Sequence, residues 1–264
     1  IGGNMKFALV NGIKCTPKPK TDGICSFCAS KVNSKCGDIN IWHWAHYSKR
    51  ECDTWWENET KWHRDWKGHF PIDWQEVTHR ADDGERHIAD VKTEDGCVIE
   101  FQHSFISKEE RLSRDNFYPN LVWIVDGLRR KRDKDQFFKA IDSAVTLMVS
   151  PLLKKVYIDE SKLIKEWQTS SSLVFFDFGE EQRIWWKLPF KDNSFAYFVP
   201  FSRTEFIDFQ LGKMDVDFIS FLNKCIKDFM LHLSGDHLRQ QRIIVPNRLS
   251  ALQSSNRLRR MRRL

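Results

Sequence analysis

Apolar and polar residues alternate in short blocks along the middle of this chain, and the spacing changes from helical to strand-like and back. Over residues 53–67, Trp55, Trp56, Glu59, Trp62, His63 and Trp66 recur at helical intervals. The pattern predicts a helix with Asp53 or Thr54 as N-cap and Gly68 as the stop. Residues 72–78, 87–93 and 97–104 predict three short strands separated by polar turns rich in Asp and Gly. Ser107 begins a second helix that runs to Tyr118, with Glu110 placed to complete a capping box, and Pro119 and Asn120 end it. Residues 121–125 are apolar throughout, the pattern of a buried parallel strand. The order is helix, three strands, helix, strand.

Beyond Asp126 the pattern is weaker. Residues 134–149 predict a helix, and 173–178, 183–188 and 196–201 predict strands. Residues 216–233 predict an amphipathic helix with Phe218, Phe221, Leu222, Ile226, Phe229 and Leu233 on one face, a stripe suited to a core rather than a cofactor. No internal repeat or long low-complexity linker interrupts these elements.

The chain has 264 residues, 41% hydrophobic and 13% aromatic, enough for a sizeable core. No run approaches the roughly 18 apolar residues that span a bilayer, and no signal-peptide pattern is visible, so the expectation is a cytoplasmic protein without a membrane partner. Ile1-Gly2-Gly3-Asn4, ahead of Met5, reads as the remnant of a ubiquitin-like fusion and is set aside. Of the formal charge of +6, residues 235–264 carry eight arginines and one aspartate, a local +7 that leaves the remainder at −1. The tail Arg257-Leu258-Arg259-Arg260-Met261-Arg262-Arg263 has the composition of a phosphate-binding arm, although such runs are also often simply solvated.

Five of the seven cysteines (Cys15, Cys25, Cys28, Cys36 and Cys52) fall in the first fifth of the chain. Without an oxidising destination, such clustering favours metal over disulfides. Cys25-x2-Cys28 with His43-Trp44-Ala45-His46 offers four soft or borderline donors suited to tetrahedral Zn²⁺. Cys52 competes for the place of His43, and Cys36 and Cys15 rank lower. Four protein ligands would close the coordination sphere, so the zinc is expected to be structural. Such a module either grips nucleic acid or braces the neighbouring domain.

Asp90 and Glu100 form the second candidate site. Two apolar strands joined by a Glu-Asp-Gly turn at residues 94–96 would bring these carboxylates to adjacent strand ends, able to share one divalent ion. An Asp and a Glu on neighbouring strands are commonly just solvated. Here Ile88, Ala89, Val91, Val98, Ile99 and Phe101 surround them, and a carboxylate in that setting is costly to bury unless paired or metal-bound. Glu59, His63 and Lys67 are spaced four apart and would line one helix face toward the same place, though an ordinary Glu-to-Lys helix face has the same spacing.

Taken together, residues 25–127 resemble the competence protein CoiA-like family, a branch of the PD-(D/E)XK nucleases. The resemblance rests on the Cys-x2-Cys and His-x-Ala-His finger, Glu59-x3-His63-x3-Lys67, Ala89-Asp90-Val91, Ile99-Glu100-Phe101-Gln102-x-Ser104, Arg114-x3-Tyr118 and Val122-Trp123-Ile124. It implies that Asp90 and Glu100, with the Phe101 carbonyl, hold Mg²⁺ or Mn²⁺, which activates water and stabilises charge on the scissile phosphate. Gln102 stands where most of the superfamily has lysine. A glutamine orients water or phosphate but supplies no positive charge. Lys67 or His63 would restore that function from the helix, and Glu59 would complete a metal shell.

The fold expected from these readings is α/β: a zinc-finger module over 5–52, a restriction-endonuclease-like αβββαβ core over 53–150, and a mixed α+β extension with a basic tail over 151–264. The expected activity is that of a metal-dependent deoxyribonuclease in DNA uptake, recombination or defence against foreign DNA. The alternatives are an inactive nucleic-acid-binding module, or the docking subunit of a larger complex. DNA is the expected partner, with the C-terminal region available for self-association or a protein partner.

Overall fold

The structure is a computed structural model that describes residues 5–48, 52, 53, 55, 59–81, 84–190 and 192–232. The chain divides into two compact units, Ile1–Ser104 and Phe105–Leu264.

The first unit opens with five short strands, β1 Ala8–Val10, β2 Ile13–Cys15, β3 Asp22–Ile24, β4 Lys31–Lys35 and β5 His43–His46, in the order β2-β1-β3-β4-β5. All neighbouring pairs are antiparallel. One face buries Met5, Ala8, Phe27, Val32 and Trp44, and the Trp44 indole N–H donates to the Cys15 carbonyl at 3.0 Å. Strands of three to five residues carry too little periodicity to be read as strands from sequence, and the pattern of the chain predicts none of these five.

Helix α1 spans Lys61–Lys67. The helix expected over 53–67 is therefore shorter, for a local reason. Thr60 is the N-cap: its hydroxyl accepts the His63 N–H at 3.4 Å while His63 Nδ1 accepts the Thr60 N–H at 3.2 Å. Asp53 is not a cap; its carboxylate accepts the Trp55 and Ile88 N–H groups instead. Thr54 lies outside the described residues. Strands β6 Gln75–Arg80, β7 Arg86–Lys92 and β8 Val98–Gln102 come next, with β7 paired antiparallel to both others. Gly96, at φ 86°, supplies the left-handed residue of the β7–β8 turn. Every residue of β8 is buried, and Phe101 stacks on Trp66 of α1 with ring centroids 5.6 Å apart.

The second unit holds α2 Lys108–Phe117, β9 Leu121–Asp126, α3 Asp133–Ser143, β10 Val145–Val149, β11 Leu152–Tyr157, α4 Lys162–Trp167, β12 Leu173–Asp177, β13 Arg183–Lys187, β14 Phe195–Ser202, α5 Arg203–Gln210 and α6 Phe218–His232. Ser107 caps α2 as expected, accepting the Glu110 N–H at 3.0 Å. β9 is buried throughout and runs parallel to β12. The helix expected over 134–149 ends at Ser143 and gives way to β10. The β-branched residues Val145, Thr146 and Val149 prefer the extended form, and β10 pairs with β11.

Alternation sorts the aromatic core onto two faces. Phe176 and Trp185 meet Phe137 of α3, whereas Phe175 and its register partner Trp186 meet Phe201. Phe218, Leu222, Ile226 and Phe229 of α6 are buried and Phe221 is half-buried, so these residues of the stripe are core; Leu233 lies outside the described residues. No helix among the described residues is long and apolar enough to cross a membrane.

Candidate functional site

Cys25 and Cys28 sit in a tight turn after β3. The Cys25 N–H donates to the Ser30 carbonyl at 2.9 Å, the Ala29 N–H returns to the Cys25 carbonyl at 3.0 Å, and Ala29 adopts φ 57°. His46 reaches this turn from β5 and Cys52 from the segment after it. The donor atoms of Cys25, Cys28, His46 and Cys52 all lie within 4.8 Å of one another, and among the described residues they are the one group of three or more such side chains that converges in this way.

Zn–S bonds of about 2.3 Å at tetrahedral angles separate two sulfurs by about 3.8 Å. Cys25 Sγ and Cys52 Sγ are 3.8 Å apart, and Cys28 Sγ is 3.2 Å from His46 Nε2. The hydrogen bond from Cys52 pulls the Cys25 thiol down to about 4, and the same bond with burial pushes Cys52 up. A lowered thiol pKa favours the thiolate, the form that binds metal. Three thiolates and an imidazole fit a closed structural zinc site.

His43 is not part of this group. Residues three apart on a strand point to opposite faces, so β5 cannot aim both His43 and His46 at one ion. The His43 ring donates from Nδ1 to the Ile41 carbonyl at 2.8 Å. Cys52 fills the fourth position. Cys36 and Cys15 are outside the group as well. Asp53, next to Cys52, holds His87 at 2.8 Å and the Ile88 N–H at 2.6 Å, fastening the finger to β7.

Two residues beyond Ile88 lies Asp90. The β7–β8 register, Val91 opposite Ile99, sets Asp90 across from Glu100. Here the side chains take over from the backbone ladder: the Phe101 N–H donates to Asp90 Oδ2 at 3.0 Å, and the Asp90 N–H donates to Glu100 Oε1 at 3.2 Å. Each acid therefore satisfies a backbone donor of the opposite strand. The Asp90 side chain is 25% exposed, whereas Glu100 is buried, so Asp90 is the acid that solvent reaches.

Lys67 arrives from α1 with its side chain 1% exposed. Its ammonium pairs with Glu59, lies 3.1 Å from Glu76 Oε1 and 3.5 Å from Asp90 Oδ1. Burial opposes the charge, but Glu76, Asp90 and Glu59 outweigh it and hold the Lys67 pKa above the usual lysine range. Glu59 precedes the cap Thr60 and is not on the helix face. It still reaches Lys67, and Arg64 at 2.6 Å, from the incoming chain. The His63 ring is engaged in the cap and packs edge-on against Trp62. The Gln102 amide donates to the Ser104 carbonyl at 3.2 Å.

Sequence reasoning does not single out Glu76. It reads as one polar position in a half-buried strand, and its special status lies in the backbone, where φ is 47°, uncommon for a residue with a Cβ. Its carboxylate accepts the Lys6 and Phe7 N–H groups, each at 3.2 Å, as well as Lys67. Burial, with Glu59 nearby, raises its pKa against the pull of Lys67. The basic tail lies outside the described residues.

A family model described as the competence protein CoiA, N-terminal domain, matches residues 18–54, the stretch that contains all four converging ligands. No curated protein and no solved structure matches the chain.

Proposed function

We propose that this chain is a divalent-metal-dependent deoxyribonuclease with a zinc-braced N-terminal module, acting in competence-related DNA processing, recombination or defence against foreign DNA. The observation that carries the reading is the position of Lys67, whose buried ammonium stands 3.5 Å from Asp90, the carboxylate open to solvent. A nuclease of this kind needs carboxylates for a metal and a cation for the phosphate, and Gln102 cannot provide the second. The similarity of residues 18–54 to the CoiA N-terminal domain supports the competence-related setting.

In this reading Asp90 and Glu100, with the Phe101 carbonyl, hold Mg²⁺ or Mn²⁺. Two carboxylates suffice, because Mg²⁺ keeps waters and substrate phosphate as its other ligands. When bound, the ion supplies Lewis acidity toward the phosphate and a more acidic water. Lys67 offsets negative charge developing beside Asp90, while Glu59 and Glu76 fix the ammonium in place. The amide of Gln102, held against Ser104, is left to orientation rather than charge.

The test is cleavage of single- and double-stranded DNA with Mg²⁺ or Mn²⁺. Asp90→Asn and Glu100→Gln should each abolish cutting with zinc content unchanged, and Gln102→Lys should keep or raise it. A parent chain that binds DNA yet cuts neither form with either ion would instead be an inactive binding module or a docking subunit.

A further inference from the structure

The finger sheet has a second face that the zinc site does not use. Val32 and Trp44 are fully buried, so the alternate residues of β4 and β5 point the other way. These are Lys31, Asn33 and Lys35 on β4, and His43 and Ala45 on β5, where Lys35 pairs with His43 and Asn33 with Ala45. The same register sets Tyr47 across from Lys31. Lys31 and Lys35 are exposed, Tyr47 is 60% exposed, and Ile24, paired with Lys31 from β3, also reaches solvent.

The segment that leads into β5, from Gly37 to Trp42, presents Ile39 at 97%, Ile41 at 41% and Trp42 at 46% exposure beside the strand end where Lys35 pairs with His43. Trp42 is anchored there, its indole N–H donating to the Gly37 carbonyl at 3.2 Å. The charge around these rings is mixed with a basic excess: Asp22, opposite Asn33 on β3, accepts the Tyr47 hydroxyl and holds that ring, and exposed Asp38 lies in the 37–42 segment. Residues 5–48 contain six lysines against two aspartates, a net +4 from which a zinc ion on three thiolates subtracts one. Lys6 and Lys14 turn inward to Gln75, whereas Lys18, Lys20, Lys31 and Lys35 are exposed and none forms an ion pair among the described residues.

We infer that this face is a binding platform for single-stranded DNA, with bases stacking on Trp42 and Tyr47 and phosphates met by Lys31 and Lys35. The substrate class rests on the nuclease reading above; the choice of surface and of a single strand rests on the face itself. Exposed, fixed aromatic rings beside unpaired cations match the way bases and backbone of an unpaired strand are held, whereas a duplex keeps its base faces stacked and out of reach. Lys31 and Lys35, four residues apart on one strand, are about 13 Å apart along it and would meet separate phosphates. A protein partner for the two unpaired lysines of β4 would have to be acidic; a polyanion meets Lys31 and Lys35 together.

The experiment uses the full, zinc-loaded chain and a fluorescent strand of about twenty nucleotides, without added Mg²⁺ or Mn²⁺, so that binding is read apart from cleavage. Trp42→Ala should weaken binding at least about fivefold, and Trp42→Phe, which keeps a stacking ring, should restore most of it. Lys31→Gln with Lys35→Gln should flatten the slope of log affinity against log salt by about 1.4. Zinc content and thermal unfolding report that each variant is folded. Unchanged affinity and slope in folded variants would overturn the proposal, as would equal sensitivity of duplex binding to Trp42→Ala. A chain that never cuts DNA but shows these binding effects overturns the nuclease reading and leaves the platform standing.

Discussion

Lys67 and Asp90 are brought to 3.5 Å by helix α1 and strand β7, and Glu59 and Glu76 close around the same ammonium. Removing one member of a buried charge group leaves the others uncompensated. Lys67→Met should therefore cost roughly 3–5 kcal/mol in urea unfolding followed by tryptophan fluorescence. The raised Lys67 pKa means that its own charge contributes fully below the unfolded lysine value and is lost only as pH climbs through the higher folded value, so titration of Lys67 itself adds no pH dependence between pH 6 and 9. A variant as stable as the parent would show that the surrounding acids are held protonated instead.

The zinc site makes a sharper distinction. Cys52→Ser removes a ligand from the converging group, while His43→Ala removes a ring on the opposite face of β5. The parent should carry about one zinc per chain by elemental analysis. Chelator competition should find zinc weakened in Cys52→Ser and unchanged in His43→Ala, and thermal unfolding should change in parallel, because metal binding and folding are coupled in so small a module. The reverse result would place His43 in the coordination sphere and Cys52 outside it.

The His43 position shows where the sequence was legible and where it was not. Four donors could be recognised from residue type, but choosing between His43 and Cys52 requires knowing that residues 43–46 form a strand, whose period of two separates residues three apart. That strand is four residues long and held by its neighbours, so its own pattern is nearly silent. β9 was legible because the five buried residues 121–125 leave a continuous apolar run, and α6 because Phe218, Leu222, Ile226 and Phe229 repeat at helical spacing. Asp90 and Glu100 were legible as acids in apolar strands. Glu76 was not, since its left-handed backbone and its bonds to Lys6 and Phe7 come from contacts about seventy residues apart in the chain.

Gly127 lies just after β9, and its N–H donates to the Asp177 carbonyl at 2.7 Å. A Cβ there would lie 2.2 Å from the Phe178 ring. That ring cannot easily move, being buried against Phe137 with centroids 4.4 Å apart. Gly127→Ala should destabilise the second unit by about 1–3 kcal/mol through overpacking, read as a lower urea midpoint. Gly212, where a Cβ meets nothing within 4 Å, is the matched control; its φ of 68° makes any cost there one of backbone strain.

Lys187 on β13 is 4% exposed, and burial, reinforced by Arg111 and only partly offset by Asp115, pushes its pKa down to about 8. A lysine depressed on folding works against the folded state wherever it is charged. Between about 8 and the unfolded value near 10.5 the unfolded chain binds more protons, so stability rises with pH across that window. A shift of this size amounts to about 3 kcal/mol of strain at pH 7. Lys187→Met keeps the apolar stem and removes the charge, so the variant should be more stable than the parent at pH 7 by up to that amount. The advantage should shrink steadily toward pH 10, as the parent lysine loses its proton. Urea unfolding of both proteins at pH 7, 8.5 and 9.5 measures the difference directly, and titrations shared by the two cancel in the comparison. A variant less stable than the parent at pH 7 would mean that the ammonium is held by a favourable partner and that Lys187 supports the second unit rather than straining it.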